Sequence, residues 1–434
     1  MKYLIIAGLM VFNVTISISQ ATIELSREDI IEKVMDQNFD LLLAQYEVDK
    51  SKGSLKSANA LTLPDINLSY SGITTDNPLM AFGSRLNQER VTAMDFDPNL
   101  LNDPNRIENF TTMVEVRQPI LNFDLKYYKD AAQSKMEATE LKIERLKDGL
   151  ALQADQLFLQ LQLTYRQLDV LEVAKRTVDE TYRVAEQQFD QGLMQRSDLL
   201  AIGVRVKDLE NQILNADNQI LLISRQLSLL MNESVNGAIV PSVDLVQKTD
   251  AIEEFQISES RADFMAMKKA SEAYRLQYEG MKKGSLPRLN GFANYAFNDN
   301  SPVKFRGEGY LIGLQLSWNV LGNKKAEGKV QESQAAYQES LTSYQKMLAE
   351  NETELYNTLR KIDNAEASIE LAQQALIQSE ESLRIRKNRF DEGLERTADL
   401  LQSEAQFAEK QMQYHYAVFQ YNMAVNYLQF LTKE

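Results

Sequence analysis

A twelve-residue pattern occurs twice in this chain, and it governs how everything else must be read. Phe189-Asp190-Gln191-Gly192-Leu193 leads through four residues to Asp198-Leu199-Leu200, and Phe390-Asp391-Glu392-Gly393-Leu394 leads through four more to Asp399-Leu400-Leu401. In each copy a long helical pattern stops, turns on a glycine and starts again. A repeat separated by about 200 positions means two copies of one structural unit, so the chain is a doubled object rather than a string of unrelated domains.

The eight prolines fall in three zones: Pro64, Pro78, Pro98, Pro104 and Pro119, then Pro241, then Pro287 and Pro302. Proline breaks helices, which leaves 121–239 and 303–434 free to be long ones. Their patterns agree. From Leu199, the residues Ile202, Val206, Leu209, Ile213, Ala216, Ile220, Ile223, Leu227 and Leu230 advance by threes and fours. Leu341, Leu348, Leu355, Ile362, Ile369, Leu376, Leu383 and Phe390 recur at every seventh position. Leu150, Ala154, Leu157, Leu161, Leu168, Leu171, Val178, Tyr182, Ala185 and Phe189 keep the same grid, with Thr164 and Lys175 as exceptions. These are coiled-coil seams, and a single amphipathic helix on a globular core does not account for spans of this length.

The proline-rich zones read as strands and turns. Ile66, Leu68 and Tyr70 alternate with Asn67, Ser69 and Ser71, and Thr112, Val114 and Val116 alternate with Met113, Glu115 and Arg117. In the second copy Leu289, Ala293, Tyr295 and Phe297 share a face. Tyr310, Ile312, Leu314, Leu316 and Trp318 oppose Gly313, Gln315 and Ser317. Apolar–polar alternation with aromatics near strand ends is the pattern of an outer-membrane barrel strand, though a sheet with one wet face looks alike.

Each copy thus runs helix, strand, loop, strand, long helix, turn, returning helix. The two descending helices, 124–190 and 324–391, are each ~100 Å long at the helical rise. The shorter stretches 194–232 with 255–283, and 397–432 with 27–60, each total about 70 residues, again ~100 Å. Two short helices stacked end to end would therefore match one continuous partner, with strands at one end of a rod and turns at the other. The segment 232–254 reads as a small mid-rod element joining the repeats, giving 22–240 and 241–434 as the two domains. The loop 73–110 is expected beyond the membrane, its Asn77-Pro78, Asp97-Pro98 and Asp103-Pro104 pairs supplying turns.

Met1-Lys2, an apolar run from Tyr3 to Phe12 and small residues at Ser17 and Ser19 form a secretory leader, 1–21, cleaved between Ser19 and Thr22. The run is far short of the ~20 residues a spanning helix needs. The absence of cysteine excludes disulfides, thiol catalysis, thiolate metal sites and an acylated N-terminal cysteine. A net charge of −15 argues against nucleic acid. His415, the single histidine, sits among Tyr and Phe and is read as a packing residue. No catalytic site, cofactor or metal site is expected.

At the two turns, Gly192 and Gly393 fit the left-handed position after a helix end. Ser197 and Thr397 fit the N-caps of the next helices, with Asp198 and Asp399 in the first turns, where the helix dipole favours carboxylates. The turns are also densely charged: Asp190, Arg196 and Asp198 in one, Arg389, Asp391, Glu392, Glu395, Arg396 and Asp399 in the other.

The doubled pattern resembles the TolC-like outer-membrane efflux protein family. The matching pieces are Phe-Asp-x-Gly-Leu with its Asp-Leu-Leu, and the passages Gln118-Pro119-Ile120-Leu121-Asn122 and Trp318-Asn319-Val320-Leu321-Gly322. The resemblance implies a homotrimer whose four strands per subunit close a twelve-stranded transmembrane β-barrel. A periplasmic tunnel of duplicated coiled-coil hairpins continues it. That tunnel closes at its tip and opens when a periplasmic membrane-fusion adaptor and an inner-membrane pump (RND, ABC or similar) dock. Independently of the resemblance, four strands have two open edges that cannot face outer-membrane lipid, so several chains must share one barrel. By position, Asp198 and Asp399 match family residues that latch or line the constriction. Where the family member that best matches this pattern has an arginine two residues after the second glycine, this chain has Glu395, followed by Arg396. The gate candidates are Asp198, Arg196, Asp399, Glu395 and Arg396, with Asp399 expected to form an acidic ring. Gly192, Leu193, Gly393 and Leu394 are the expected adaptor-docking tips.

The chain therefore reads as a passive outer-membrane exit duct of an efflux or type I secretion system, not an enzyme. Its cargo is not written in the sequence. One rival is an exported coiled-coil scaffold or adaptor that does not span a membrane. A periplasmic hydrolase with paired carboxylates is another, and it lacks a compact pocket, its acidic residues lying along coiled-coil faces.

Overall fold

The computed structural model describes residues 22–249, 256–320 and 323–433; the expected leader lies outside them, as do Leu321 and Gly322. Along the chain run β1 (Ile23–Leu25), α1 (Arg27–Gln37), α2 (Phe39–Ala60), β2 (Asp65–Thr75), α3 (Pro78–Asn87), α4 (Pro98–Asn102), β3 (Ile107–Leu121), α5 (Leu125–Asp190), α6 (Arg196–Leu230), β4 (Ile239–Pro241), α7 (Ala262–Lys283), β5 (Arg288–Asp299), β6 (Gly307–Ser317), α8 (Asn323–Asp391) and α9 (Thr397–Thr432). They form two compact units, each drawn from both sequence repeats: one takes the chain through Leu43 with Arg145–Ser258 and Glu350–Glu434, the other Ala44–Glu144 and Glu259–Ala349.

In the first unit the heptad residues are the core. Leu150, Ala154, Phe158 and Leu161 of α5 pack with Ile220, Ile223, Leu227 and Leu230 of α6 and with Ile30 and Val34 of α1. Each such leucine, isoleucine, valine or phenylalanine side chain, fully removed from water, contributes about 1.5–3 kcal/mol. Farther along the same helices, Leu171, Val178 and Ala185 meet Ile202, Leu209 and Ala216. In α8 only part of the expected seam is fully covered: Ile362, Ile369 and Phe390 are buried, while Leu341, Leu348, Leu355, Leu376 and Leu383 are half-buried.

The expected helix 27–60 is two helices. Asn38 has extended backbone between them, its Nδ2 donates to the Leu230 carbonyl at 2.8 Å, and its Oδ1 accepts from the Asp40 amide at 2.8 Å. This buried asparagine ends α1 and caps α2. The helix expected from 255 begins at Ala262, just after Arg261, which is 1% exposed and forks onto Asp263 at 2.7 Å. The segment that joins the repeats contains β4, which pairs in parallel with β1, Ile23 opposite Ile239. Ser224 Oγ accepts from the Ile239 amide at 2.9 Å, and Gln162 and Asn422 donate to the carbonyls of Val243 and Val246 at 2.8 Å. Side chains of three helices thus satisfy an otherwise irregular backbone.

The second unit holds a four-stranded antiparallel sheet in the order β2-β3-β5-β6, with a register shift between Pro119 and Leu121. Among the described residues, one edge of β2 and one edge of β6 have no partner strand. Neighbouring register brings Ile66, Val116, Ala293 and Ile312 into one row and Leu68, Val114, Tyr295 and Tyr310 into the next on the same face. The opposite face carries Asn67, Glu115, Arg117 and Asn294. β3 starts at Ile107, earlier than the alternation from Thr112 implied. The residues before it are not a plain loop. Asn77 and Asp97 are N-caps, each followed by a proline at the first helical position, and a 3-10 turn spans Ala93–Phe96. Proline is favoured there because its missing N–H would have had no helical partner, so two expected turns are helix starts.

Candidate functional site

The two turns are built alike, and backbone geometry alone explains how. Gly192 and Gly393 both have φ +72°. The Gly192 and Leu193 amides donate to the carbonyls of Phe189 (2.9 Å) and Gln188 (2.8 Å). Those of Gly393 and Leu394 donate to Phe390 (2.9 Å) and Arg389 (2.8 Å). This pair of bonds is the Schellman arrangement, which satisfies carbonyls a helix end otherwise leaves bare, and it needs a left-handed residue. The next helix starts at Arg196 after Gln195 in one turn and at Thr397 after Arg396 in the other, with no side-chain cap bond in either. Ser197 and Thr397 are therefore not the N-caps: each lies inside its helix. Asp198 and Asp399 do lie in the first turns.

The charged residues divide into two groups. Glu395 is folded back onto α8, with its Oε1 2.7 Å from Arg386 Nη1 and its Oε2 2.9 Å from Arg389 Nε, and only 10% of its side chain is exposed. Arg196, Asp198, Arg396 and Asp399 have no ion-pair partner among the described residues, and both arginines are exposed. Leu193 and Leu394 are 75% and 64% exposed, the most water-facing apolar groups of their turns.

Next to the turns, α6 and α9 meet. Ile202, 0% exposed, belongs to a buried cluster against which Met194, Leu199 and Leu401 also pack. Arg205 of α6 contacts Glu404 of α9 through Nε and Nη2, each 3.0 Å from Oε2. Glu404 is 3% exposed, its Oε1 has no hydrogen-bond partner, and burial pushes its carboxyl above the usual range against the pull of Arg205. Neither residue stood out in the sequence: α9 has no clean heptad from which to infer that Glu404 faces a neighbour. His415 is half-buried with its ring 5.6 Å from Tyr414, and burial lowers its basicity, as a packing residue requires.

The sheet is a second candidate site, in the other unit. Its apolar face is bare on both outer strands: Ile66 and Leu68 on β2 and Tyr310, Ile312, Leu314 and Leu316 on β6 are all more than half exposed. Strands of 11 residues, as β2 and β6 are, match the ~9–11 that a tilted transmembrane strand needs. No helix among the described residues is long and apolar enough to cross a membrane.

This architecture is similar to several solved structures. VceC of Vibrio cholerae matches with TM-score 0.78 at 17% identity, covering 94% of this chain and 97% of its own. CmeC of Campylobacter jejuni matches with TM-score 0.82 at 17% identity, covering 94% and 85%. MtrE of Neisseria gonorrhoeae, in its open state, matches with TM-score 0.75 at 12% identity, covering 94% and 88%. No curated protein sequence matches significantly. The profile of outer membrane efflux proteins matches residues 30–233 and 256–432, both repeats and nearly the whole described chain. The chain belongs to the outer membrane efflux protein family, and its place is the outer membrane of a Gram-negative cell.

Proposed function

We propose that this chain is one of three identical subunits of a passive export conduit, the outer-membrane exit of a tripartite efflux or secretion system. The observation that carries the reading is the sheet: its two outer strands, β2 and β6, have no partner on their far edges among the described residues, and both bear apolar side chains more than half exposed. Unpaired backbone N–H and C=O groups cannot face hydrocarbon, so the edges must be closed by the edges of other copies. Three copies give twelve strands, as the family resemblance implies, with Ile66, Leu68, Ile312 and Leu314 toward lipid and Asn67, Glu115 and Arg117 toward the interior.

In this reading the turns at Gly192 and Gly393 form the periplasmic tip. Leu193 and Leu394 are offered to a periplasmic adaptor, and an inner-membrane pump supplies the energy. Asp198 and Asp399, neither of them ion-paired among the described residues, line the constriction with Arg196 and Arg396. Glu395 instead neutralises Arg386 and Arg389 and holds the turn against α8. The relatives CmeC and MtrE are described as outer membrane channels, which accords with a duct. Charged replacements at Leu193 and Leu394 test the docking role: loss of adaptor cross-linking and efflux supports it, and full retention of both removes it.

A further inference from the structure

The segment between β2 and β3 is a folded cap, and it is fastened to one particular face of the sheet. Gln88, 0% exposed, donates through Nε2 to the Glu108 carbonyl at 2.9 Å and to Asn109 Oδ1 at 2.8 Å. Asn109 and Thr111 both donate to Asn298 Oδ1, at 3.3 and 2.8 Å. Asn109 and Thr111 alternate along β3 with Phe110 and Thr112, so they share the polar face with Glu115 and Arg117. The cap also rests directly on β6: a Cβ at Gly307 would collide with the Asn87 carbonyl oxygen.

The cap is braced by contacts among its own side chains, and its free side is apolar. Asp95 accepts from Thr92 and pairs with Arg85, and the rings of Phe82 and Phe96 lie 5.6 Å apart, edge to face. Helix α3 turns Ala81 and Ser84 inward, both buried. On its opposite side stand Leu79 and Leu86, 81% and 57% exposed, with open space around Gly83 between them. Met94 and Phe96 beside it are 76% and 61% exposed. Such a cluster on a braced support marks a contact surface rather than scattered surface leucines.

We propose that this apolar side of α3 meets the same side of α3 in the other copies, so that the caps form a second constriction at the outer end of the conduit. The inference rests on the proposed closed barrel. There the polar face looks inward, so a cap fastened to it overhangs the lumen and is directed away from lipid. The apolar surface available to it is the same surface of the next subunit, continuous with the β2–β6 junctions. Cargo leaving the duct must part the caps, and external solutes meet an apolar seal.

Because the chain has no cysteine, single-thiol variants test this directly. Leu79→Cys and Leu86→Cys are purified in detergent and treated with a short bismaleimide, and native mass spectrometry of the same samples counts the chains per particle. Around a threefold axis only one pair per particle can couple, so covalent dimers should take up to two of every three chains. Three-chain particles that yield no dimers from either variant overturn the constriction and leave the conduit standing. Particles that never contain three chains overturn both.

Discussion

Arg205 and Glu404 form an ion pair between α6 and α9, the two helices that return from the glycine turns. The pair is asymmetric, since Arg205 meets one carboxylate oxygen at 3.0 Å and leaves the other buried without a partner. A buried, incompletely satisfied charge is costly on its own and tolerable beside its partner.

Removing only the cation should therefore be the worst change here. Arg205→Ala leaves Glu404 charged in an apolar contact and should destabilise the helical unit by about 3–5 kcal/mol. A double change, Arg205→Ala with Glu404→Leu, should recover most of that. Thermal unfolding of the three variants in detergent checks the order, and an Arg205→Ala protein as stable as the parent would contradict it.

The same carboxyl predicts a pH dependence. Burial raises the folded-state value of Glu404, so the folded chain holds this proton more tightly than the unfolded chain. Its contribution is fully present below the ordinary glutamate value of about 4.3 and is lost as pH rises through the raised folded value. The α6–α9 contact should tighten on mild acidification, and Glu404→Gln should flatten that part of the profile. Stability measured against pH for both proteins decides it.

Gly192 and Gly393 should respond alike to alanine. Both have φ +72°, and a Cβ at either meets nothing within 4 Å, so the cost is backbone strain of about 1–2 kcal/mol rather than a clash. Asparagine should cost less. Amide exchange of Leu193 and Leu394 reports the loosened turn, and a steric collapse at only one of the two would contradict the shared geometry.

Asp399 has no ion-pair partner among the described residues, whereas Glu395 is committed to Arg386 and Arg389. Asp399→Ala should lower the cation preference of single channels and weaken block by multivalent cations. Glu395→Ala, by releasing two arginines, should shift selectivity toward anions. Unchanged selectivity in both variants removes these carboxylates from the constriction.

Much of this arrangement can be read from residue spacing, because coiled-coil burial follows a period. Leu150, Ala154, Leu161, Val178, Ala185, Ile202 and Leu209 are all buried as their positions require. Even Thr164, which breaks the apolar grid, is buried, its hydroxyl donating to the Gln160 carbonyl one turn back at 2.8 Å. The cap was not legible, because an Asn-Pro or Asp-Pro pair serves a turn and a helix start equally well. The helix starts after the glycines misled for a related reason. After the Schellman turn each helix starts four residues past its glycine, at Arg196 and at Thr397, so Ser197 and Thr397 are already inside the helices. The Arg205–Glu404 pair depends on which side of α9 faces α6, and the irregular apolar spacing of α9 carries no such information.

The proposed barrel requires the open strand edges of several chains to close on one another, and a count of subunits checks this. Native mass spectrometry of the detergent-extracted protein, with electron microscopy of the same particles, should give three chains around a single twelve-stranded wall. A stable monomer recovered from a detergent-free aqueous extract would contradict the account.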